Sequence, residues 1–260
     1  MQRTIAALSL AAAMAVSAAA IAHPGDDPRT VLVVVAHPDD ELFMAPAIAG
    51  EARSGSRVII VYATSGDAGP GVSGMEPGEA LAQLRRKEAA CAADALGAVP
   101  VFYDLGDGTL GQYPRRPESA AARLRDRLRE DILGRRPEVI MTWGPDGGYG
   151  HADHRMVSAV TSEIVQALGS DVRPSLLYAA FAEGRLPEST PLGRWAGTDP
   201  ELLTVGYSYS DADLASAAAA AQCHETQFDA PSRAGLMPFL AGTVWQGEVR
   251  FREAFPVSTR

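Results

Sequence analysis

The sequence predicts one α/β domain on an open, mostly parallel sheet with helices on both faces, and three observations carry that expectation. Short aliphatic runs recur along the chain, at 31–36, 57–63, 99–103 and 139–143, each followed by a segment of helical apolar spacing. That alternation is the pattern of βαβ units. The runs are apolar over most of their length without a polar alternation, as befits strands covered on both faces. Two of them lead into segments dense in histidine and aspartate, 31–36 directly and 139–143 after a glycine-rich turn. In open α/β sheets ligands bind at the carboxyl ends of strands.

Taken in order, a polar leader at 23–29 precedes the first strand, which stops at Ala36. Leu42, Met44, Ile48 and Ala49 have helical spacing, and Ser54 and Gly55 end that helix. Arg57 to Ala63 reads as the second strand. Residues 64–78 hold too much glycine, serine and proline for regular structure, and a loop of that length after a strand is either a lid or a plain surface loop. Glu79 to Leu96 reads as a helix stopped by Gly97, and Val99 to Tyr103 as a third strand. Pro117 to Leu133 reads as a helix with Leu124, Leu128, Ile132 and Leu133 on one face. The strand at 139–143 then leads through Gly148 to Arg155 into a helix reaching Leu168. Leu176 to Phe181 and Leu202 to Tyr207 read as further strands, with a surface excursion at 184–200 between them. Asp211 is the expected cap of an alanine-rich helix running to about Gln227.

Composition sets the compartment and narrows the partners. Arg3 followed by an apolar stretch from Ala6 to Ala20 and small residues at 20–22 has the form of a secretory signal peptide, so residues 1–22 are expected to be removed and 23–260 to form the domain. A membrane anchor needs about 20 apolar residues, more than this stretch supplies. The chain is therefore expected to be exported, periplasmic or extracellular. Its formal charge is -9, and -10 without Arg3, which excludes a general attraction to nucleic acid or anionic membrane. Cys91 and Cys223 fall in alanine-rich helical stretches, make no C-x-x-C pair, and read as buried free thiols.

The five histidines concentrate the chemistry. His23 sits at the expected mature terminus, where metal chelation would be adventitious, and a lone His224 reads as a core or surface residue. His37, His151 and His154 all lie at strand ends beside Asp39, Asp40 and Asp153. Imidazole and carboxylate donors suit Zn²⁺, and a catalytic zinc keeps three protein ligands and one open position. Such a metal lowers the pKa of water from 15.7 to about 7, and a neighbouring carboxylate can take the proton as the water attacks an acyl carbon. The bland reading of the paired aspartates, a helix N-cap near Glu41, leaves His37 and the second cluster unexplained.

Ala36 to Glu41 with His151 to His154 resembles the PIG-L or LmbE-like family of zinc-dependent N-deacetylases. Weaker echoes of the family's motifs lie at Thr64 to Gly69, Arg85 with Glu88, His224 to Gln227 and Glu253 to Phe255. The resemblance implies a Rossmann-like fold and hydrolysis of an N-acyl, by default N-acetyl, group from an amino sugar or glycoconjugate. It implies His37, Asp40 and His154 as metal ligands and Asp39 as general base. His151 would stabilise the oxyanion, oriented and charged by Asp153, with Tyr149 assisting. Asp107, Arg85 and Gln227 are possible sugar contacts. Fe²⁺ suits the same ligands as Zn²⁺. The chain departs from the family pattern at Ala152, Asp67 and Thr226, none of them a ligand or the base.

Other readings fare worse. A dinucleotide-binding enzyme would carry G-x-G-x-x-G after its first strand, and a phosphoacceptor domain a lysine after a late strand; the only lysine is Lys87. An exported carbohydrate-binding protein that keeps a metal without turnover is the alternative from another class. It would be free to lose Asp39 or His151, and both are present.

Overall fold

The computed structural model describes residues 28–255, so the expected signal peptide at 1–22 and His23 lie outside the described residues. The chain runs β1 (Thr30–Val35), α1 (Ala45–Arg53), β2 (Arg57–Tyr62), α2 (Glu79–Ala95), β3 (Val99–Phe102), α3 (Ala120–Arg135), β4 (Val139–Trp143) and α4 (Ala152–Gln166). It continues through β5 (Ser175–Ala179), β6 (Phe181–Ala182), β7 (Gly197–Thr198), β8 (Val205–Ser208), α5 (Asp211–Cys223), α6 (Ala230–Leu240) and β9 (Glu248–Glu253). The main sheet has the order β3-β2-β1-β4-β5-β9-β8, parallel from β3 to β5 and antiparallel at β9 and β8. This is the mostly parallel α/β sheet that the strand runs predict.

Both faces of that sheet are packed, which is why its central strands are apolar along most of their length. Val31, Val33 and Val35 join Val58, Ile60, Tyr62, Met141 and Trp143 in one core beneath α1, α2, α5 and α6. Leu32 and Val34 join Ile59, Val61 and Ile140 on the opposite face, against α3 and α4. Alternate side chains of a strand point to opposite faces, so the continuous run builds two cores at once.

Several boundaries differ from expectation for local reasons. α3 starts after Ser119, whose hydroxyl accepts the Ala122 N–H, and not at Pro117. Leu124, Leu128 and Ile132 form its buried stripe, whereas Leu133, about 100° further round the helix, is exposed. α5 is capped by Ser210, with Asp213 closing a reciprocal capping box; Asp211 is the first helical residue. The helix stops at Cys223, because His224 leaves helical geometry. The strand expected from Leu202 begins at Val205, after a short 3₁₀ turn over Pro200–Leu202. The excursion at 184–200 is tied down by the two-residue parallel ladder of β6 and β7.

α6 and β9 are not marked in the sequence. α6 contains Pro238, and β9 alternates Val249 and Phe251 with arginines at the half-covered end of the sheet. One expectation is overturned outright: Cys91 and Cys223 are not free thiols but a disulfide, with Cα atoms 5.8 Å apart, joining α2 to the end of α5. Their helices pack side by side, a proximity that sequence spacing does not show.

Candidate active site

Strand order reverses between β1 and β4, so their carboxyl ends border a crevice at the topological switch point of the sheet. His37 follows β1, and His151 and His154 follow β4. The two halves of the site foreseen in the sequence therefore meet across adjacent strands.

His37 Nδ1 and His154 Nε2 lie 3.2 Å apart. Asp40 Oδ1 is 2.9 Å from His154 Nε2, and Asp40 Oδ2 is 3.6 Å from His37 Nδ1. These separations bracket the roughly 3.3 Å edge of a tetrahedron with metal–nitrogen bonds of 2.0–2.1 Å. The outer nitrogens set the tautomers. His154 Nδ1 faces the Gly147 carbonyl oxygen at 3.1 Å and must donate to it, leaving Nε2 as the lone pair. His37 Nε2 lies 3.0 Å from Asp107 Oδ1 and 3.5 Å from Asp153 Oδ2, though aligned for a hydrogen bond with neither. Those carboxylates favour the proton on Nε2 and the lone pair on Nδ1. Two imidazole lone pairs and a carboxylate oxygen thus converge, and a divalent cation fits the donor set. His151 also brings a ring nitrogen within 4.8 Å of those of His37 and His154.

The local charge balance asks for a cation as well. Asp39, Asp40, Asp107 and Asp153 surround the site, and among the described residues the permanent cation paired with one of them is Arg85. Burial alone would lower His37, but Asp107, Asp153 and Asp40 overcome it and push its pKa up to about 10. Burial likewise works against the Asp40 charge, yet His154 and His37 hold that carboxyl well below the usual range.

The two adjacent aspartates diverge. Asp40 turns inward and accepts the Ala36 and His37 amides at 3.0 and 2.8 Å, while Asp39 reaches the opening, its side chain 22% exposed. The divergence requires an unusual backbone: Asp39 has φ 110°, a left-handed conformation costing a non-glycine residue about 1–3 kcal/mol. Burial pushes the Asp39 carboxyl upward; Arg85, with Nη2 3.4 Å from Oδ2, opposes this, and the Asp40 charge adds to it.

The expected sugar contacts are placed unevenly. Asp107 faces His37 at the crevice. Arg85 is buried, and its guanidinium donates to the carbonyl oxygens of Gly66 and Gly69, each at 3.1 Å, and of Pro38 at 2.6 Å. Gln227 Nε2 donates to Gly69 O and Thr226 Oγ1, both at 3.0 Å. Arg85 through Nη1 and Gln227 through Nε2 thus hold the 64–78 loop, whose Val72 N–H also binds the Thr226 carbonyl. The first half of that loop is pinned, not hinged. Gly66 and Gly71 have positive φ and sit so close to Arg85 and to the Thr226–Gln227 backbone that a Cβ would collide.

His151 and Asp153 are both present, but their relationship differs from the expected charged pair. The Asp153 carboxylate turns to the 104–110 loop and accepts the Gly108 and Leu110 amides at 2.7 and 3.1 Å. His151 caps α4, its Nδ1 accepting the Asp153 N–H at 3.2 Å, so the ring proton belongs on Nε2. Desolvation and the neighbouring His37 and His154 push its pKa down. The geometry makes His151 a neutral Nε2–H donor, not an imidazolium. Tyr149 is half exposed, with its ring 5.8 Å from His151 and 5.1 Å from His154.

Sequence reasoning passed over three residues here. His224, read as an isolated core or surface histidine, is buried with Nε2 2.6 Å from Glu41 Oε1. Glu41, the third acid of the first motif, also accepts the Asp39 N–H through Oε2 at 2.9 Å. Trp195, from the 184–200 excursion, lies 5.2 Å from Tyr149 and 4.7 Å from Phe43, centroid to centroid. Glu41 stood inside a recognised motif, but no local signal marks Trp195.

Comparison with known proteins finds relatives of this chain and of its fold. The curated "1D-myo-inositol 2-acetamido-2-deoxy-alpha-D-glucopyranoside deacetylase" of Kineococcus radiotolerans is 35% identical over 178 residues, covering 57% of this chain and 48% of that protein. The chain thus spans about half the length of that relative. Among solved structures, the 4-carboxy-2-hydroxymuconate hydratase of Pseudomonas putida KT2440 matches with TM-score 0.64 at 21% identity, over 89% of this chain and 98% of that one. The N,N'-diacetylchitobiose deacetylase of Pyrococcus horikoshii matches with TM-score 0.63 at 19% identity, over 89% and 88%. Both share the fold. The family model described as "PIG-L: GlcNAc-PI de-N-acetylase" matches residues 32–165, from β1 through nearly all of α4 and across both histidine clusters, and the chain belongs to the PIG-L family.

Proposed function

We propose that this protein is a metal-dependent N-deacetylase that removes an acetyl group from an N-acetylated amino sugar or glycoconjugate. The observation that carries the reading is the convergence of His37 Nδ1, His154 Nε2 and Asp40 beside an outward-facing Asp39. His37, Asp40 and His154 would hold Zn²⁺, or Fe²⁺ with the same donors. Such an ion supplies Lewis acidity, polarising a carbonyl and acidifying water.

The remaining steps belong to the chain. Asp39 takes a proton from the attacking water and returns it to the leaving amine; burial raises its affinity for that proton and its neighbour Arg85 opposes the rise. His151 Nε2–H donates to the acyl oxygen as charge develops there, at the rim where Tyr149 also stands. Asp153 and Asp107 hold the His37 proton on Nε2 and so keep Nδ1 available. The Kineococcus relative's name specifies an N-acetylated glucosamine unit as its substrate, which supports the amino-sugar class.

Export remains part of this proposal. The signal-like sequence at 1–22 and the Cys91–Cys223 disulfide both support an oxidising compartment. No helix among the described residues is long and apolar enough to cross a membrane.

The test is acetate release from N-acetylglucosamine and its short oligomers by the purified protein, after chelation and with Zn²⁺ or Fe²⁺ restored. Metal-restored release is the expected result. One bound metal per chain without release from any N-acetylated sugar would favour a binding protein instead.

A further inference from the structure

Both polar atoms of a single peptide unit, the one joining Pro38 to Asp39, are clamped by buried side chains from remote parts of the chain. Its carbonyl oxygen accepts from Arg85 Nη2 of α2 at 2.6 Å. Its N–H donates to Glu41 Oε2 at 2.9 Å. The second Glu41 oxygen, Oε1, meets His224 Nε2 at 2.6 Å, across 183 residues of sequence. Glu41 and His224 are both fully buried.

We propose that Glu41 and His224 are a positioning pair that fixes the Pro38–Asp39 peptide, and thereby aims the Asp39 carboxylate into the crevice while Asp40 turns inward. The proposal rests on the reading of Asp39 as general base. Asp39 sits at φ 110°, where a non-glycine residue stays only if its surroundings over-determine it. The 3₁₀ turn that follows, Asp40–Met44, receives no cap from the Asp39 side chain, which is left free for the crevice. Glu41 instead reaches back from within the turn to take the Asp39 N–H.

A buried carboxylate serves as a fixed acceptor only if its other oxygen is satisfied, and His224 satisfies it. His224 is itself held in place: Cys223 is bonded to Cys91 of α2, and Thr226 donates to Glu88 of α2 through its amide at 2.8 Å and its hydroxyl at 2.6 Å. The same helix therefore carries Arg85, which grips one atom of the peptide, and the anchors of His224, which supports the grip on the other. An ion pair that merely filled the core would need no contact with the Asp39 backbone.

The test compares Glu41→Ala and Glu41→Gln with the wild-type protein. Three quantities are read: hydrogen exchange of the Asp39 amide, kcat and KM for N-acetylglucosamine oligomers, and zinc bound per chain. In Glu41→Ala the Asp39 amide should exchange at least about 10-fold faster and kcat should fall about 10–100-fold, with KM and zinc content unchanged. Glu41→Gln, whose amide oxygen still accepts the Asp39 N–H, should restore both to within about 3-fold. Should Glu41→Ala not fold, Glu41→Asp decides the matter, because the shorter side chain keeps the charge but cannot reach both partners. Unchanged Asp39 exchange, a kcat that falls only in step with zinc, or a glutamine variant as impaired as the alanine one would each overturn the proposal. A wild-type protein that deacetylates no sugar would refute the enzymatic reading, while the exchange arm would still decide whether the pair holds Asp39.

Discussion

The imidazole of His154 lies flat on the indole of Trp143, with centroids 5.2 Å apart and planes within 1° of parallel. Trp143 is the last residue of β4 and fully buried, so the end of the strand orients a ring on the following helix. With Gly147 O fixing Nδ1, the ring can present only Nε2 to Asp40. His154→Ala should therefore lose bound metal while keeping the fold, measured as zinc per chain together with circular dichroism. Trp143→Leu removes the orienting surface but not the ligand, and should weaken metal affinity about 10-fold by chelator competition. Stoichiometric zinc in His154→Ala would strike it from the ligand set.

Asp39→Asn should behave in the opposite way. Its side chain reaches the opening and is not one of the three convergent donors, so metal content should stay at the wild-type level. Loss of a general base typically costs 10²–10⁴ in rate, and kcat should fall by about that factor. Zinc lost in parallel with activity would mean that the roles of Asp39 and Asp40 are exchanged.

His151→Ala should lower kcat by about 10²–10³, the usual effect of removing one donor to a developing oxyanion, with metal retained. His151→Gln, which restores an N–H donor without a titratable ring, should recover part of that loss, as a neutral donor predicts. Full activity in His151→Ala would remove it from the reaction.

What the sequence made legible here was whatever lies within a few residues. The all-apolar run of β1 announced a strand covered on both faces, and the polar residues that end it and β4 announced where the site would be. His37, Asp40 and His154 could be grouped because their motifs follow two apolar strands and resemble the family's paired motifs. The direction of a side chain was not legible: Asp153 stands beside His151 in sequence, yet its carboxylate is taken by the Gly108 and Leu110 amides of another loop. Nor were partnerships across long separations. Glu41 with His224 and Cys91 with Cys223 depend on α5 packing against α2 and on the 3₁₀ turn after β1, and no local pattern encodes those distances.

Acid sensitivity should be written partly in Asp213. Arg53 binds its carboxylate at 2.8 and 2.9 Å, Ser210 donates to it from both amide and hydroxyl, and these contacts hold it well below the usual carboxylate range. A folded-state pKa below the unfolded value of about 3.9 means that the stabilisation is fully present above about pH 4 and is lost as the pH falls from there toward the depressed folded value. Asp213→Asn should lower Tm at pH 7, and the gap from wild type should close on acidification below pH 4. A gap independent of pH would assign the effect to helix capping alone.

The Cys91–Cys223 disulfide closes a segment of 132 residues and lies where reductant can reach it, Cys91 being exposed. Constraining so long a loop in the unfolded chain is worth about 2–5 kcal/mol, and reduction should lower stability by that amount in denaturant unfolding. The bridge ends one residue before His224, so reduction also tests what holds that histidine in place. The His224 segment is also held through Thr226 by Glu88, and the folded site should survive reduction, with zinc content unchanged and kcat altered by less than about 3-fold below the unfolding midpoint. A reduced protein that stays folded but loses most of its turnover would show that the disulfide itself, and not the hydrogen bonds to α2, keeps the Glu41–His224 pair in register. Cys91→Ser with Cys223→Ser gives the same comparison without reductant at the metal.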